Sequence, residues 1–193
     1  YIKYSNNHQF ESEKASHYIL NFQYNKNGKT FRAEAYFKDY SNLVKFNTEK
    51  ATYNSVYDNT GSGYAKGLDL FWRDSKTIKN LEYWISYSFI DSERDFRNYE
   101  TQVTPSFVAN HNFSLVTKYF VSKWKSQISA TYSYNSGRPY DNPNVTEFMS
   151  EKTKSFNNLS LSWAYLLSQQ KILFFSVTNV LGTENVFGYQ YAN

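Results

Sequence analysis

An all-β fold, an antiparallel transmembrane β-barrel of which this chain supplies about eight consecutive strands, is predicted by three features of the sequence. Apolar and polar residues alternate with period two along most of the chain. The connections alternate between short turns and long loops. Strand-breaking residues are scarce: among 193 residues there are 7 Gly and 3 Pro, against 4 Trp, 19 Tyr and 16 Phe, the residue types that favour strands. The longest apolar runs, such as 163–167, fall far short of the roughly 18 residues of a spanning helix, so a membrane crossing would have to be made by strands.

The first strand follows His17, with Tyr18, Leu20, Phe22 and Tyr24 on one face and Asn21 and Gln23 on the other. Asn25-Lys26-Asn27-Gly28 is a hairpin signal, because Asn-Gly tolerates the positive φ of a tight turn. The return strand sets Phe31, Ala33, Ala35 and Phe37 against Thr30, Arg32, Glu34, Tyr36, Lys38 and Tyr40. A third sets Leu68, Leu70 and Trp72 against Gly67, Asp69 and Arg73, and a fourth Leu81, Tyr83, Ile85, Tyr87 and Phe89 against Glu82, Trp84, Ser86 and Ser88. Phe113, Leu115 and Tyr119 oppose Asn112, Ser114 and Lys118 in the fifth, and Ile128, Ala130, Tyr132 and Tyr134 oppose Ser129, Thr131 and Ser133 in the sixth. The seventh sets Leu159, Leu161, Trp163 and Tyr165 against Asn158, Ser160 and Ser162. The eighth, 171–179, is apolar on both faces in its first half, and its pattern does not orient it.

Short connections fall at 25–28, 74–80, 121–124 and 167–170, and long ones at 41–63, 91–105 and 136–155. In a meander this places all short turns at one end and all long loops at the other, the asymmetry of an outer-membrane barrel. A soluble sandwich of the same strands is the competing fold. It would have to satisfy many Tyr hydroxyls in a dry core, whereas an interfacial aromatic girdle suits them. Alternating runs of about nine to twelve residues match the roughly 9–11 tilted residues that cross a bilayer. Arg32, Glu34, Asp69 and Glu82, with Ser86 and Ser129, are expected to face the lumen, and Phe37, Leu70, Ile85, Leu115, Ala130 and Leu161 the lipid. Lys66 is the exception: it shares the face of Leu68 and must lie near the outer interface. The residues before 17 and after 179 both fall on the long-loop side, whereas a complete barrel has its termini on the short-turn side. The chain is therefore expected to be a segment of a larger barrel, without upstream strands or the final one.

The strings FRAEAYFKDYSNLVKF from Phe31, GYAKGLDLFWRD from Gly63, YWISYSFIDSERDF from Tyr83, TPSFVANHNFSLVTKYF from Thr104, YSYNSGRPYD from Tyr132 and FFSVTNVLG from Phe174 resemble, in order and spacing, the carboxy-terminal barrel of TonB-dependent outer-membrane receptors, especially of Bacteroidetes. The resemblance covers almost the whole chain, 1–193. It implies a 22-stranded barrel around an amino-terminal plug, with this chain holding roughly strands 14 to 21. It further implies a place in the bacterial outer membrane and import of a scarce or large nutrient of the siderophore, glycan, cobalamin or peptide class. The implied partners are outer-membrane lipid, the plug and remaining strands, the TonB complex acting through the plug, and a surface lipoprotein. A non-transport barrel, such as an adhesin or a porin-like protein, is the alternative.

No enzyme chemistry is expected. With no Cys there is no thiolate nucleophile or thiolate metal site. The imidazoles, His8, His17 and His111, stand in no hydrolase string, and His111 is read as a strand-end hydrogen-bonding residue. Glu93 and Asp95 read as solvated loop charges rather than a glycosidase pair. Met149 beside Glu147 and Glu151 is a weak metal constellation, read as a solvated loop. No cofactor is expected. Lys plus Arg number 21 against 17 Asp plus Glu, a net charge of +4 without a basic stripe, so no nucleic-acid partner is expected. The better-supported chemistry is ligand binding by loop aromatics and arginines: Tyr53, Tyr57, Tyr64, Phe96, Tyr99 and Tyr140 with Arg94, Arg97 and Arg138. These groups suit stacking and bidentate recognition of carboxylate or phosphate. The same aromatics could equally pack the loops on one another or belong to the outer girdle.

Overall fold

A computed structural model of the chain describes residues 11–52, 54–189 and 191. Strands β1 (Lys14–Lys26), β2 (Lys29–Phe46), β3 (Tyr57–Asp74), β4 (Leu81–Asp95), β5 (His111–Val121), β6 (Ser126–Asn135), β9 (Phe156–Ser168) and β10 (Lys171–Val177) form one 8-stranded sheet in that order. Every pairing is antiparallel. Between β6 and β9 a small hairpin is made by β7 (Pro139–Tyr140) and β8 (Glu151–Lys152). β1 and β10 are the two ends of the sheet, and with one neighbour each they are exposed along their whole length.

The register carries each strand's alternation across the sheet. Arg32 pairs with Gln23 and Phe71, Glu34 with Asn21 and Asp69, and Asp69 with Ser88. Glu82 pairs with Lys118, which pairs with Ser129, which pairs with Ser162. Residues opposite one another in a ladder point to the same side, so these groups share one continuous polar face. Phe37, Leu70, Ile85, Leu115, Ala130 and Leu161 lie on the other, through pairs such as Leu70 with Tyr87, Ile85 with Leu115, and Ala130 with Leu161. Lys66 sits on this apolar face, where its ammonium is 3.1 Å from Asp91 and 5.2 Å from the centre of the Tyr64 ring. Its charge is thus paired within the sheet.

Register also orients β10. Phe175 pairs with Trp163 and stacks on it at 5.6 Å, while Phe174 faces Ala164 on the polar side.

Three boundaries differ from the sequence reading. β2 runs on to Phe46 and β3 starts back at Tyr57, so the connection expected over 41–63 shrinks to 47–56. The pairing slips between Tyr40 and Leu43 and again between Leu43 and Lys45, and Asn42 has φ 58. Such an irregularity breaks the period-two pattern that marks a strand. β4 likewise continues to Asp95, where both faces are polar and alternation carries no signal. The loop over 136–155 contains the β7–β8 pair, whose two-residue strands are too short to show a period.

The short turns are locally built. Asn27 (φ 50) and Gly28 (φ 74) both adopt the left-handed region that a two-residue hairpin requires. In the next turn the Asp74 carboxylate accepts the N–H groups of Lys76 (2.8 Å) and Thr77 (2.9 Å) and the Thr77 hydroxyl. Those bonds hold its acidity at a pKa of about 2, with the nearby Lys29 ammonium a smaller influence.

Candidate ligand-binding loops

At the long-loop end, strands position four of the eight described candidates, Tyr57, Tyr64, Arg94 and Tyr140. The extensions of β2 and β3 bring Val44, Phe46 and Tyr57 into a buried cluster over Ala51. Tyr57 is 3% exposed, its ring 5.9 Å from that of Phe46 and its hydroxyl donating to the Thr52 carbonyl at 2.7 Å. Expected as an exposed loop aromatic, Tyr57 is a core residue of the outer tip. Tyr53 lies outside the described residues.

The segment after β4 is tied to this tip by backbone bonds. The Arg97 N–H donates to Val44 O at 2.8 Å, and Phe46 N–H donates to Arg97 O at 2.9 Å. Arg97 holds φ 55 and leaves its side chain exposed, its guanidinium 5.0 Å from the Phe96 ring centre. Phe96 meets Tyr99 edge-on at 4.9 Å, and Tyr99 meets Phe148 at 5.2 Å, so the second and third long connections touch through aromatic rings.

Arg94 and Tyr64, grouped together by sequence, are separated by the sheet. Tyr64 pairs with Glu93 and stands on the apolar face with Lys66 and Asp91. Arg94 pairs with Gly63 on the polar face. Its guanidinium lies 4.3 Å from the Tyr40 ring, 5.5 Å from Phe107 and 5.8 Å from Phe96. Cation–π attraction of this kind strengthens as the cation is desolvated, and the buried Nε makes no hydrogen bond among the described residues. Tyr40 and Phe107 were not singled out by sequence. Tyr40 ends a strand alternation and Phe107 sits in a segment without any period, so neither carried a signal.

Arg138 immediately precedes β7, and Tyr140 is its second residue. The backbone of Arg138 is clamped to Thr153, its N–H donating to Thr153 Oγ1 at 3.0 Å and its carbonyl accepting from Thr153 N at 2.9 Å. A Cβ on Gly137 would stand 2.0 Å from the Thr153 carbonyl oxygen, so this approach requires glycine. Tyr140 packs on Tyr189 at 4.7 Å, and a hydrogen bond with the Tyr191 hydroxyl raises its pKa.

Between the first two long connections lies an open cleft of about 520 Å³, lined by Lys45, Asp58, Thr48, Glu49, Tyr99 and Glu100 among others. Of the candidates named from sequence, Tyr99 reaches it. Lys45, which also pairs with Asp95, was missed because a single lysine in a slipped strand has no motif.

His111 opens β5, and its Nδ1 is 2.9 Å from the Tyr87 hydroxyl, the strand-end bond expected of it. His8 lies outside the described residues. Met149, expected in a solvated loop, is 9% exposed. Among the described residues no cluster of three or more His, Asp or Glu could hold a metal ion.

Residues 1–180 match the family model of the TonB-dependent receptor-like β-barrel. The chain belongs to this receptor family. Its place is the bacterial outer membrane. Comparison with curated proteins found no match. Among solved structures, the receptor segment is similar to the ferric-catecholate import receptor Fiu of E. coli K12 in its closed form, with a TM-score of 0.71 and 13% identity over 92% of this chain and 25% of that one. It is similar to the FrpB iron transporter of Neisseria meningitidis, at 0.69 and 15% over 90% and 26%. It is also similar to the outer membrane transporter YddB of Escherichia coli, at 0.67 and 12% over 90% and 29%. The receptor segment therefore spans about a quarter of the length of these structures. At such identities the likeness establishes a shared fold.

Proposed function

We propose that the chain is the carboxy-terminal part of the barrel of an active-transport receptor of Bacteroidetes type. In the whole protein it takes up a scarce or large nutrient of the siderophore, glycan, cobalamin or peptide class. A plug in the lumen couples uptake to the TonB complex, and a surface lipoprotein is a candidate partner at the outer end. The polar face carrying Arg32, Glu34, Asp69 and Glu82 lines the lumen and meets the plug. The family match over residues 1–180 carries this reading, supported by the gathering of every long connection at one end. A plugged barrel offers a ligand entry only there, and loops on a rigid scaffold are the usual seat of binding.

Within that vestibule, Arg97, Tyr99, Arg138 and Tyr140 are the residues proposed to meet ligand, while Tyr57, Phe96 and Arg94 hold the loops in place and Tyr64 belongs to the girdle. No residue of the chain is assigned a catalytic role. Alanine substitutions in the intact receptor test the division. A ligand anchor should lose about 1–2 kcal/mol of binding on truncation, with the barrel still assembled. Unchanged uptake and affinity in all four vestibule variants would overturn the assignment.

A further inference from the structure

The short-turn end carries a second built feature. After β5 a single 3-10 turn, Ser122–Trp124, ends at Lys125 in the left-handed region (φ 46). Lys125 N–H donates to Ser122 O at 3.1 Å, its carbonyl accepts from Leu166 N at 2.9 Å, and the Ser126 hydroxyl donates to Trp124 O at 2.9 Å. These bonds fix the Lys123-Trp124-Lys125 tip beside the neighbouring strands. Ile128, Trp163 and Tyr165, all on the apolar face, complete with it a crevice of about 490 Å³. No carboxylate lines the crevice. Trp124 is 60% and Trp163 40% exposed, and among the described residues neither lysine is ion-paired.

The surroundings share its sign. The first two turns bring Lys26, Lys29 and Lys76 around a second crevice with Tyr24. The one carboxylate inside these turns, Asp74, is 3% exposed and occupied by its own turn. The long-loop end, in contrast, is rich in carboxylates, among them Asp58, Glu93, Asp95 and Glu100. The chain is polarised, with the basic rim on the side where short turns meet the membrane surface.

We propose that the Lys123-Trp124-Lys125 crevice binds one anionic glycerophospholipid of the leaflet on the short-turn side. The phosphate lies between the two ammonium groups, the ester region against the Trp124 indole and the Tyr165 hydroxyl, and an acyl chain runs over Ile128 and Trp163. Ammonium groups attract anionic headgroups, and amphipathic rings prefer the headgroup level. A generic girdle supplies the rings but not two unpaired lysines around a defined crevice. The site depends on the transmembrane placement of the barrel and not on the identity of the nutrient.

The test uses the complete receptor in nanodiscs of phosphatidylglycerol and phosphatidylcholine in equal amounts, with native mass spectrometry of the lipid retained on mild release. Wild type should retain phosphatidylglycerol preferentially. K123Q/K125Q should lower that preference about tenfold, a difference of about 1.4 kcal/mol, while K123R/K125R keeps it. W124A should weaken retention of both lipids, and K50Q/K154Q at the other end should change nothing. An unchanged preference in K123Q/K125Q, or an equal fall in K50Q/K154Q, would overturn the site in favour of diffuse attraction. Failure of wild type to insert would instead overturn the transmembrane placement beneath it.

Discussion

The short-turn and long-loop ends of the strands differ in how far their contacts reach along the chain. At the short-turn end three of the four connections are closed by their own residues: Asn27 and Gly28 at positive φ, the Asp74 carboxylate on the N–H groups of Lys76 and Thr77, and Lys125 at the end of its 3-10 turn. Bonds to neighbouring turns and strands are added to these: Ser75 N–H to Gly28 O at 3.1 Å, Phe120 N–H to Asn80 O at 2.9 Å and Leu166 N–H to Lys125 O at 2.9 Å. At the long-loop end local bonds, such as Tyr57 OH to Thr52 O and Val108 N–H to Pro105 O, are joined by contacts between residues far apart in the chain. Arg97 bonds to Val44, fifty-odd residues earlier in the chain, Tyr99 packs on Phe148, and Tyr140 packs on Tyr189. Those distant contacts tie the long connections to one another and to the end of β2, and together they build one surface at this end. Turns closed by local chemistry keep the barrel's register independent of that surface.

Substitutions at the two ends should therefore behave differently. The largest effect is expected at Phe46, which is 8% exposed in the outer tip. Phe46→Ala should cost about 3–5 kcal/mol of local stability and expose 47–56 to protease, while heat-modified electrophoresis still shows a folded barrel. Global loss of the barrel would break the proposed independence. Gly137→Val drives a side chain into the Thr153 carbonyl and should cost about 1–3 kcal/mol. Its effect should appear as cleavage within 136–155 and not as a lower barrel melting temperature.

At the other end, Gly28→Ala places a Cβ at φ 74 and 2.4 Å from Lys76 Cγ. It should cost about 1–2 kcal/mol, read as a lower denaturation midpoint for the whole barrel, because the turn sets the β1–β2 register. The smallest effect is the pH dependence of the Asp74 turn. Its pKa is held at about 2, below the ordinary 3.8, so its contribution is complete above about pH 4 and is lost as pH falls toward 2. Denaturation in detergent should show wild type losing its margin over Asp74→Asn across that window. A margin that stays constant would show that the carboxylate's charge plays no part in the turn.

The strands and their faces could be read from sequence because a strand's two sides are written in successive residues, and Leu81 to Phe89 or Leu159 to Tyr165 needs no partner to be recognised. The hairpin at Asn27-Gly28 was equally plain, since only a few residues tolerate its φ. Where the ladder slips at Asn42, or where β4 is polar on both sides from Asp91 to Asp95, the period vanishes although pairing continues, and strand ends were misplaced. The candidate site shows the same limit more sharply. Sequence gathered aromatic and arginine residues at the long-loop end, yet it could not tell that Tyr57 is buried or that Tyr64 and Arg94 stand on opposite faces.

By itself, then, the sequence determined the all-β class, the number of main strands, the composition of each face and the separation of short turns from long loops. All of these follow from interactions within a few residues. Tertiary structure decided the orientation of β10, the pairing of Lys66 with Asp91, the enclosure of Arg94 by Tyr40, Phe96 and Phe107, and the crevice around Trp124. Each of these joins separate elements, and which side chains meet there is settled by inter-strand register and by how the connections fold over the strands, which no single strand contains.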